Sequence, residues 1–167
     1  MSGRLRIGIG HDLHPLIPDR PLVLGGVRVP SSRGLKGHSD GDVLSHAVVD
    51  ALIGAAGLGD IGQWFPDSDE RFRGADSLVL LCEVASVLRG KGWRVGNVDA
   101  SIVAEQPRLA PYLGEMRKKL ADALQIDVED VNVKATSPEQ VGSLGRQEAI
   151  AAFATALIER EGSGQAE

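Results

Sequence analysis

The sequence predicts an α/β fold: a single domain whose mixed sheet carries helices on one face and packs its other face against further copies of the chain. Three observations lead there. Apolar residues alternate with polar ones in the opening segment and in two later ones, they recur at helical spacing in four others, and they make up 43% of 167 residues. A chain of that size buries roughly two thirds of its unfolded surface around one core, so residues 1–161 read as one domain. The remainder, 162–167, is expected to be a disordered tail.

Leu5, Ile7, Ile9, His11 and Leu13 alternate with Gly8, Gly10, Asp12 and His14, the period of a strand over residues 4–14. After the turn residues Pro18, Asp19 and Pro21, the runs Leu22 to Leu24 and Val27 to Val29 predict a neighbouring strand or ribbon, with Gly25-Gly26 as a bulge. From Ser39 or Asp40 the period lengthens. Val43, Leu44, Ala47, Val48, Ala51 and Ala55 form one helical face, closed by Gly57. Asp76 is placed to cap a second helix bearing Leu80, Leu81, Val84, Ala85 and Leu88, ended by Gly90-Lys91-Gly92. Val98, Ala100, Ile102 and Ala104 return to strand spacing, Leu113, Met116, Leu120 and Leu124 to helix, and Val131, Val133 and Ala135 to strand. Ile150, Phe153, Ala154, Leu157 and Ile158 predict a final helix. Polar Asp99, Ser101, Asn132 and Lys134 fill the alternate positions of the two later strands, which suits a face covered by other subunits.

Composition narrows the function. With 18 basic and 23 acidic residues the net charge is −5, so nothing draws the whole molecule to nucleic acid or an anionic membrane. An aromatic content of 4% argues against a base-stacking platform. The lone Cys82 has no internal disulfide partner and, inside the apolar stretch Leu78 to Leu88, reads as a small core residue. No run of 18 apolar residues occurs and the N-terminus has no apolar signal segment, so the expected location is cytoplasmic.

All four histidines lie between positions 11 and 46. Asp12 and His14 are two apart on a strand, so both leave the same face, and a carboxylate with an imidazole suits a divalent ion such as zinc. His46 lies off the core face of its predicted helix and is the best third ligand. Asp50, one turn on, is the expected acceptor for its other ring N–H. Three protein ligands leave one tetrahedral position for a substrate oxygen, as in catalytic zinc sites. Spacing alone leaves open that His11, His14, His38 and His46 are separate polar or packing residues. For His11, on the Leu5, Ile7 and Ile9 face, packing is the preferred reading.

Three further segments suit phosphates or sugar hydroxyls. His38-Ser39-Asp40-Gly41-Asp42 runs into a helix start, where free N–H groups and the helix dipole favour an anion; plain capping by Ser39 or Asp40 is the alternative. In Gly59 to Asp69, Asp60 can accept from hydroxyls while Trp64 and Phe65 shut out water, the alternative being a solvated loop. Thr136-Ser137-Pro138-Glu139 ends a strand with hydroxyls suited to phosphate and a carboxylate suited to a hard cation, although a helix entry would look similar.

Together, Asp12-Leu13-His14, His38 through Asp42 with His46, Gly59-Asp60-Ile61-Gly62 with Phe65-Pro66-Asp67, Gly96-Asn97-Val98-Asp99 and Val131 through Thr136 resemble the 2-C-methyl-D-erythritol 2,4-cyclodiphosphate synthase family in order and spacing. The likeness covers about residues 4–158. It implies a cyclising, CMP-releasing phosphorus–oxygen lyase of non-mevalonate isoprene biosynthesis. It implies that Asp12, His14 and His46 bind Zn²⁺, that Glu139 holds Mg²⁺ or Mn²⁺ with the substrate's diphosphate, and that His38 and Ser137 polarise the transferring phosphates. Substrate contacts are implied for Asp12, His14, His38 and Ser39, for Asp60, Ile61 and Gly62 around the methylerythritol unit, and for Phe65, Pro66, Asp67, Ser68 and Asp69 on its phosphate side. Ala104, Glu105, Gln106, Pro107, Arg108, Leu109 and Ala110 match the cytidine segment. Thr136, Ser137, Pro138, Glu139 and Arg146 complete the implied set. The resemblance further implies a homotrimer with shared active sites, and the charge and composition above leave no nucleic-acid or membrane partner expected.

Ser143 stands where the family often has an aromatic residue, and Arg108 where it often has Lys, which keeps the charge and changes its geometry. Two rival readings are a zinc-dependent phosphohydrolase and a zinc-stapled trimeric binding module. The second would need four protein ligands, and the sequence offers three well-placed ones.

Overall fold

The computed structural model describes residues 5–160; the expected tail, 162–167, lies outside them. Strand β1 (Leu5–Pro18) leads to a hairpin of β2 (Leu22–Leu24) and β3 (Val27–Val29), a short strand β4 (Arg33–Leu35) and helix α1 (Val43–Ala56). A helical turn α2 (Ile61–Trp64) precedes helix α3 (Ser77–Gly90), strand β5 (Trp93–Val103), helix α4 (Leu113–Leu124), strand β6 (Val131–Thr136), a second helical turn α5 (Gly142–Gly145) and strand β7 (Ala149–Arg160). The main sheet runs β4-β1-β7-β5-β6, with β5 and β6 parallel and the other neighbours antiparallel. Helices α1, α3 and α4 pack on one face. On the other face Leu5, Ile7, Ile9 and Phe153 are exposed.

The expected final helix is instead β7, the middle strand of the sheet. Its sequence carries two periods at once. Ile150, Ala152, Ala154, Ala156 and Ile158 repeat every second residue and are all buried, while Phe153 and Leu157 add the accidental helical spacing. Alanine favours helices in isolation, but β1 and β5 offer hydrogen-bonding partners along both edges of this segment, and tertiary context outweighs a propensity of tenths of a kcal/mol per residue. The small side chains also leave room for α1.

That room is tightest at β1. The apolar members of its alternation face outward, and Gly8 and Gly10 face α1. A Cβ at Gly8 would sit 2.0 Å from the Ala51 carbonyl oxygen, and one at Gly10 would sit 1.9 Å from that of Ala47. Strand and helix backbones are therefore nearly in contact. α1 is buried all round rather than on one face, with Ser45, His46, Val49, Leu52, Ile53 and Ala56 buried besides the expected positions.

The helix starts later than expected, at the N-cap Asp42 rather than Ser39 or Asp40, and ends at Gly57 in the left-handed region. Asp42 also corrects the expected bulge. Gly25 and Gly26 have φ of 56° and 69° and form a two-residue hairpin turn, for which two positive φ values are required. The Gly25 and Gly26 N–H groups donate to the two Asp42 carboxylate oxygens at 2.8 and 2.7 Å. Cys82 is exposed on α3, whose buried stripe passes through Leu81, Val84, Ala85 and Leu88 instead.

Candidate active site

The close contact of β1 with α1 brings Asp12 and His14 against His46. Among the described residues these three form the one group able to offer a metal three converging ligand atoms. His46 Nδ1 lies 2.8 Å from Asp12 Oδ2, His14 Nε2 lies 3.1 Å from the same oxygen, and the two ring nitrogens are 3.3 Å apart. A tetrahedral zinc with bonds of about 2.0–2.1 Å needs ligand atoms about 3.3 Å apart, so the trio fits such an ion with little movement. Burial alone would raise the Asp12 carboxyl, but hydrogen bonds and positive charge from His14 and His46 hold it well below its ordinary value. Burial alone would lower His46, while its hydrogen bond to Asp12 and the charges of Asp12, Asp42 and Asp40 together push it up.

The other nitrogen of His46 does not meet Asp50. It faces Ser77 Oγ at 2.9 Å and Ser39 Oγ at 3.0 Å, while Asp50 accepts from the Ile61 N–H at 3.0 Å and so anchors α2. The helical wheel places Asp50 one turn from His46, but the ring turns toward the N-terminus of α3, which no local spacing announces. His11 stacks on Phe153 with centroids 4.6 Å apart on the open sheet face, consistent with a packing role.

Next to the trio lies a cavity of about 340 Å³. Asp12, His14 and His46 line it together with His38 and Ser39, with Ile61, Gly62, Phe65, Pro66 and Asp67, and with Phe72 and Leu80. The His38 ring donates from Nε2 to the Asp69 carbonyl at 2.9 Å, which ties the His38 segment to the loop after Asp67. Asp60, Ser68 and Asp69 do not line this space. Asp60 caps α2 by accepting from the Gln63 N–H and side-chain amide, and the Asp69 carboxylate is engaged by Arg71. A second, more open cavity of about 640 Å³ adjoins the first through His14, His38, Ser39 and Asp67, and Arg20, Lys36 and Arg73 border it.

The remaining predicted residues gather elsewhere. At the C-terminal ends of the parallel strands β5 and β6, Glu105 Oε2 accepts from Ser137 Oγ at 3.0 Å and from the Gln140 N–H at 3.1 Å, and Ser137 Oγ accepts from the Glu139 N–H at 2.9 Å. Ala104 and Leu109 are buried, so within the cytidine-like segment they have only main-chain groups to offer a ligand; Arg108 is exposed. Arg146 pairs with Glu148 at 2.7 Å and borders neither cavity. Ser137, Glu139 and the 104–110 segment also line neither one.

The sequence model of the YgbB family matches residues 5–159. The chain belongs to the YgbB family. The 2-C-methyl-D-erythritol 2,4-cyclodiphosphate synthase of Thermosynechococcus vestitus (strain NIES-2133 / IAM M-273 / BP-1) is 55% identical over 156 residues, 93% of this chain and 97% of that one. Its namesake from Pseudomonas putida (strain W619) is 54% identical over 92% of this chain and 98% of that one. Among solved structures, IspF of Plasmodium falciparum in a CDP complex is similar with a TM-score of 0.83 at 30% identity, over 96% of this chain and 99% of that one. The bifunctional IspDF from Campylobacter jejuni gives 0.92 at 39% identity, over 96% of this chain and 43% of that longer one.

The YgbB-family motifs quoted from the sequence account for every wall of the smaller cavity except Phe72 and Leu80. Leu80 hides in the helical stripe of α3, and Phe72 sits in a charged loop with no period. Arg20, whose guanidinium donates to the Ser39 carbonyl at 2.5 Å, and Ser77 were also beyond sequence reading. Nothing in the spacing separates Arg20 from an ordinary turn cation or Ser77 from a helix-start serine.

Proposed function

We propose that this YgbB-family chain is a metal-dependent 2-C-methyl-D-erythritol 2,4-cyclodiphosphate synthase. It converts 4-diphosphocytidyl-2-C-methyl-D-erythritol 2-phosphate into the 2,4-cyclodiphosphate and CMP. The observation that carries this reading is the Asp12, His14 and His46 trio opening onto the cavity lined by His38, Ser39, Ile61, Gly62, Phe65, Pro66 and Asp67. The relatives sharing over half its residues across nearly their whole length carry that name.

In the reaction an oxygen of the 2-phosphate bonds to the β-phosphorus while the bond from that phosphorus to the CMP oxygen breaks, and CMP leaves with the electron pair. No water is consumed. The nucleophile is already an anion, so the chain's task is to fold the substrate and neutralise charge rather than to supply a strong base. Asp12, His14 and His46 would hold Zn²⁺ and Glu139 a Mg²⁺ or Mn²⁺ shared with diphosphate oxygens, and such cations polarise phosphoryl oxygens. His38, with Nε2 committed to the Asp69 carbonyl, keeps Nδ1 to donate to a phosphoryl oxygen when protonated. The Ser39 hydroxyl is a second donor on that side. Gly62, Phe65 and Pro66 exclude the water that would otherwise compete with the internal nucleophile. Asp60 and Gly62 would hold the methylerythritol unit, and the main chain of 104–110, with Arg108, the cytidine. Ser137 and Glu139 would meet the diphosphate, with Arg146 a further phosphate contact. Three chains assemble with each site shared, and the enzyme works in the cytoplasm.

The test is to incubate the protein with the cytidyl substrate, Zn²⁺ and Mg²⁺ and to weigh the products. Equal amounts of CMP and a cyclic diphosphate lacking one water relative to the hydrolysed form are expected. Uncyclised products would establish the phosphohydrolase, and unaltered substrate would overturn the synthase reading.

A further inference from the structure

The hydrogen bonds behind His46 have a direction. A carboxylate only accepts, so at 2.5 Å from Asp40 Oδ1 the Ser77 hydroxyl spends its hydrogen on Asp40. Asp40 Oδ2 holds the Ser77 N–H at 3.0 Å as well, which fixes both ends of the serine. With its hydrogen committed, Ser77 Oγ has only lone pairs to turn toward His46 Nε2 at 2.9 Å. The imidazole must therefore keep a proton at Nε2, so Nδ1, facing Asp12 and His14, is the nitrogen left to give up its proton to an ion. Ser39 Oγ, 3.0 Å from the same Nε2, is a second acceptor. Three of the four groups are shielded from solvent, Ser77 at 0% exposed, Ser39 at 7% and His46 at 8%, while Asp40 is half-buried.

We infer that Asp40 and Ser77 are positioning residues that keep the proton of His46 on Nε2 and so present Nδ1 as its metal-ligating atom. The inference rests on the proposed metal centre and adds how that centre is prepared. Asp12 pulls a proton toward Nδ1 with its carboxylate 2.8 Å away. Without an opposing acceptor at Nε2, the neutral ring is free to settle with its proton on the ligand side and its lone pair turned away from the ion. Asp40 also links this preparation to the cavity wall, because its N–H donates to the Ala75 carbonyl at 3.0 Å, next to the 61–72 segment.

Two measurements test it. In ¹⁵N-labelled protein loaded with ¹¹³Cd²⁺, scalar coupling should connect the metal to His46 Nδ1 and His14 Nε2, with His46 Nε2 uncoupled and protonated. In a competition titration against a chelating dye, Ser77→Ala and Asp40→Asn should each weaken Zn²⁺ binding about 10- to 100-fold, the usual effect of losing such a partner. Asp40→Asn should be the more severe, since an amide N–H₂ can donate to Ser77 and reverse the chain of hydrogen bonds. Ser77→Ala leaves Ser39 as an acceptor. Coupling through His46 Nε2 in the wild type would overturn the inference, and that measurement stands even where a variant fails to fold. Variants with wild-type circular dichroism that bind Zn²⁺ as tightly as the wild type would also overturn it. A wild type that binds neither ion would instead remove the metal centre itself, and this role with it.

Discussion

Asp12 accepts from two imidazoles at once, and its second oxygen accepts from the Leu13 N–H at 2.9 Å, so its charge is stabilised on every side. Its pKa is lowered from 3.8, against burial, by His14 and His46; that of His46 is raised from 6.5, against burial, chiefly by Asp12. In the metal-free protein a lowered carboxyl contributes stability that is complete above 3.8 and lost as acid protonates it at its lower folded value. A raised imidazole contributes stability that is complete below 6.5 and lost as base removes its proton above that value. Thermal melts of chelator-treated protein should therefore show a contribution from this pair that is greatest between these two values and declines on the alkaline side. His46→Gln should flatten that alkaline decline. The ion must displace the Nδ1 proton, so Zn²⁺ affinity should rise with pH over the same alkaline range, and melts with Zn²⁺ should lose the decline. A chelator-treated wild type whose melting point climbs steadily from pH 6 to 9 would contradict the assignment. The candidate ligands were singled out because period two and one helical offset separate Asp12, His14 and His46 from core positions, although spacing alone left them open as separate polar residues. Asp40 and Ser77 were not, since their bonds span 31 and 37 residues of sequence and depend on where α3 docks.

At the level of elements, the Asp12, His14 and His46 cluster depends on how closely α1 lies on β1, and Gly10 sets that distance more than any member of the cluster does. Gly→Ala in a strand ordinarily gains about 0.5–1 kcal/mol. Here the added Cβ would sit 1.9 Å from the Ala47 carbonyl oxygen, one residue from His46, and backbone atoms cannot rotate aside. Gly10→Ala should therefore destabilise the fold by about 1–3 kcal/mol or more, as overpacking does, and should lower Zn²⁺ affinity through the widened Asp12–His46 gap. Urea unfolding and the dye titration read the two effects separately. Unchanged stability would mean that the helix can shift freely and that the close approach is incidental. This contact also explains what the sequence could and could not convey about elements. α1, α3, α4 and the strands β1, β5 and β6 announced themselves by period and caps. β7 did not, because a strand lying under a close helix needs a row of alanines, and such a row also satisfies a helical pattern. The direction in which β1 presents its apolar residues was equally hidden, since alternation identifies two faces without saying which one meets the helices.

For the whole molecule, the outward face of β1 and β7 poses the question of what covers it. Leu5, Ile7 and Ile9 are 59%, 79% and 71% exposed, and Phe153 adjoins them, whereas a side chain of this kind gains about 1.5–3 kcal/mol on full burial. Beyond them on the same sheet Lys134 and Asn132 both bond to Asp99, at 2.5 and 2.9 Å. An apolar strip beside a paired polar patch suits self-association, and the homotrimer proposed above would supply it. The sheet register adds a second reason. Leu13, Ala151, Val103 and Thr136 lie in one row, so the metal-ligand strand and the Ser137–Glu139 end of β6 are three strand spacings apart, about 14 Å. One chain thus holds its two clusters side by side at one end of the sheet without merging them, which is compatible with the proposed site completed by a neighbour. Mixing His14→Ala with Arg108→Ala chains and following CMP release after subunit exchange tests this. Each parent should be nearly inactive. With random exchange at equal amounts, three quarters of the trimers are hybrids with one of three sites free of both defects, so activity should recover to about a quarter of the wild-type level. Native mass measurement establishes that hybrids have formed. If they have and activity stays at the average of the parents, the metal trio and the 104–110 segment serve one site from the same chain, and the shared-site trimer is wrong.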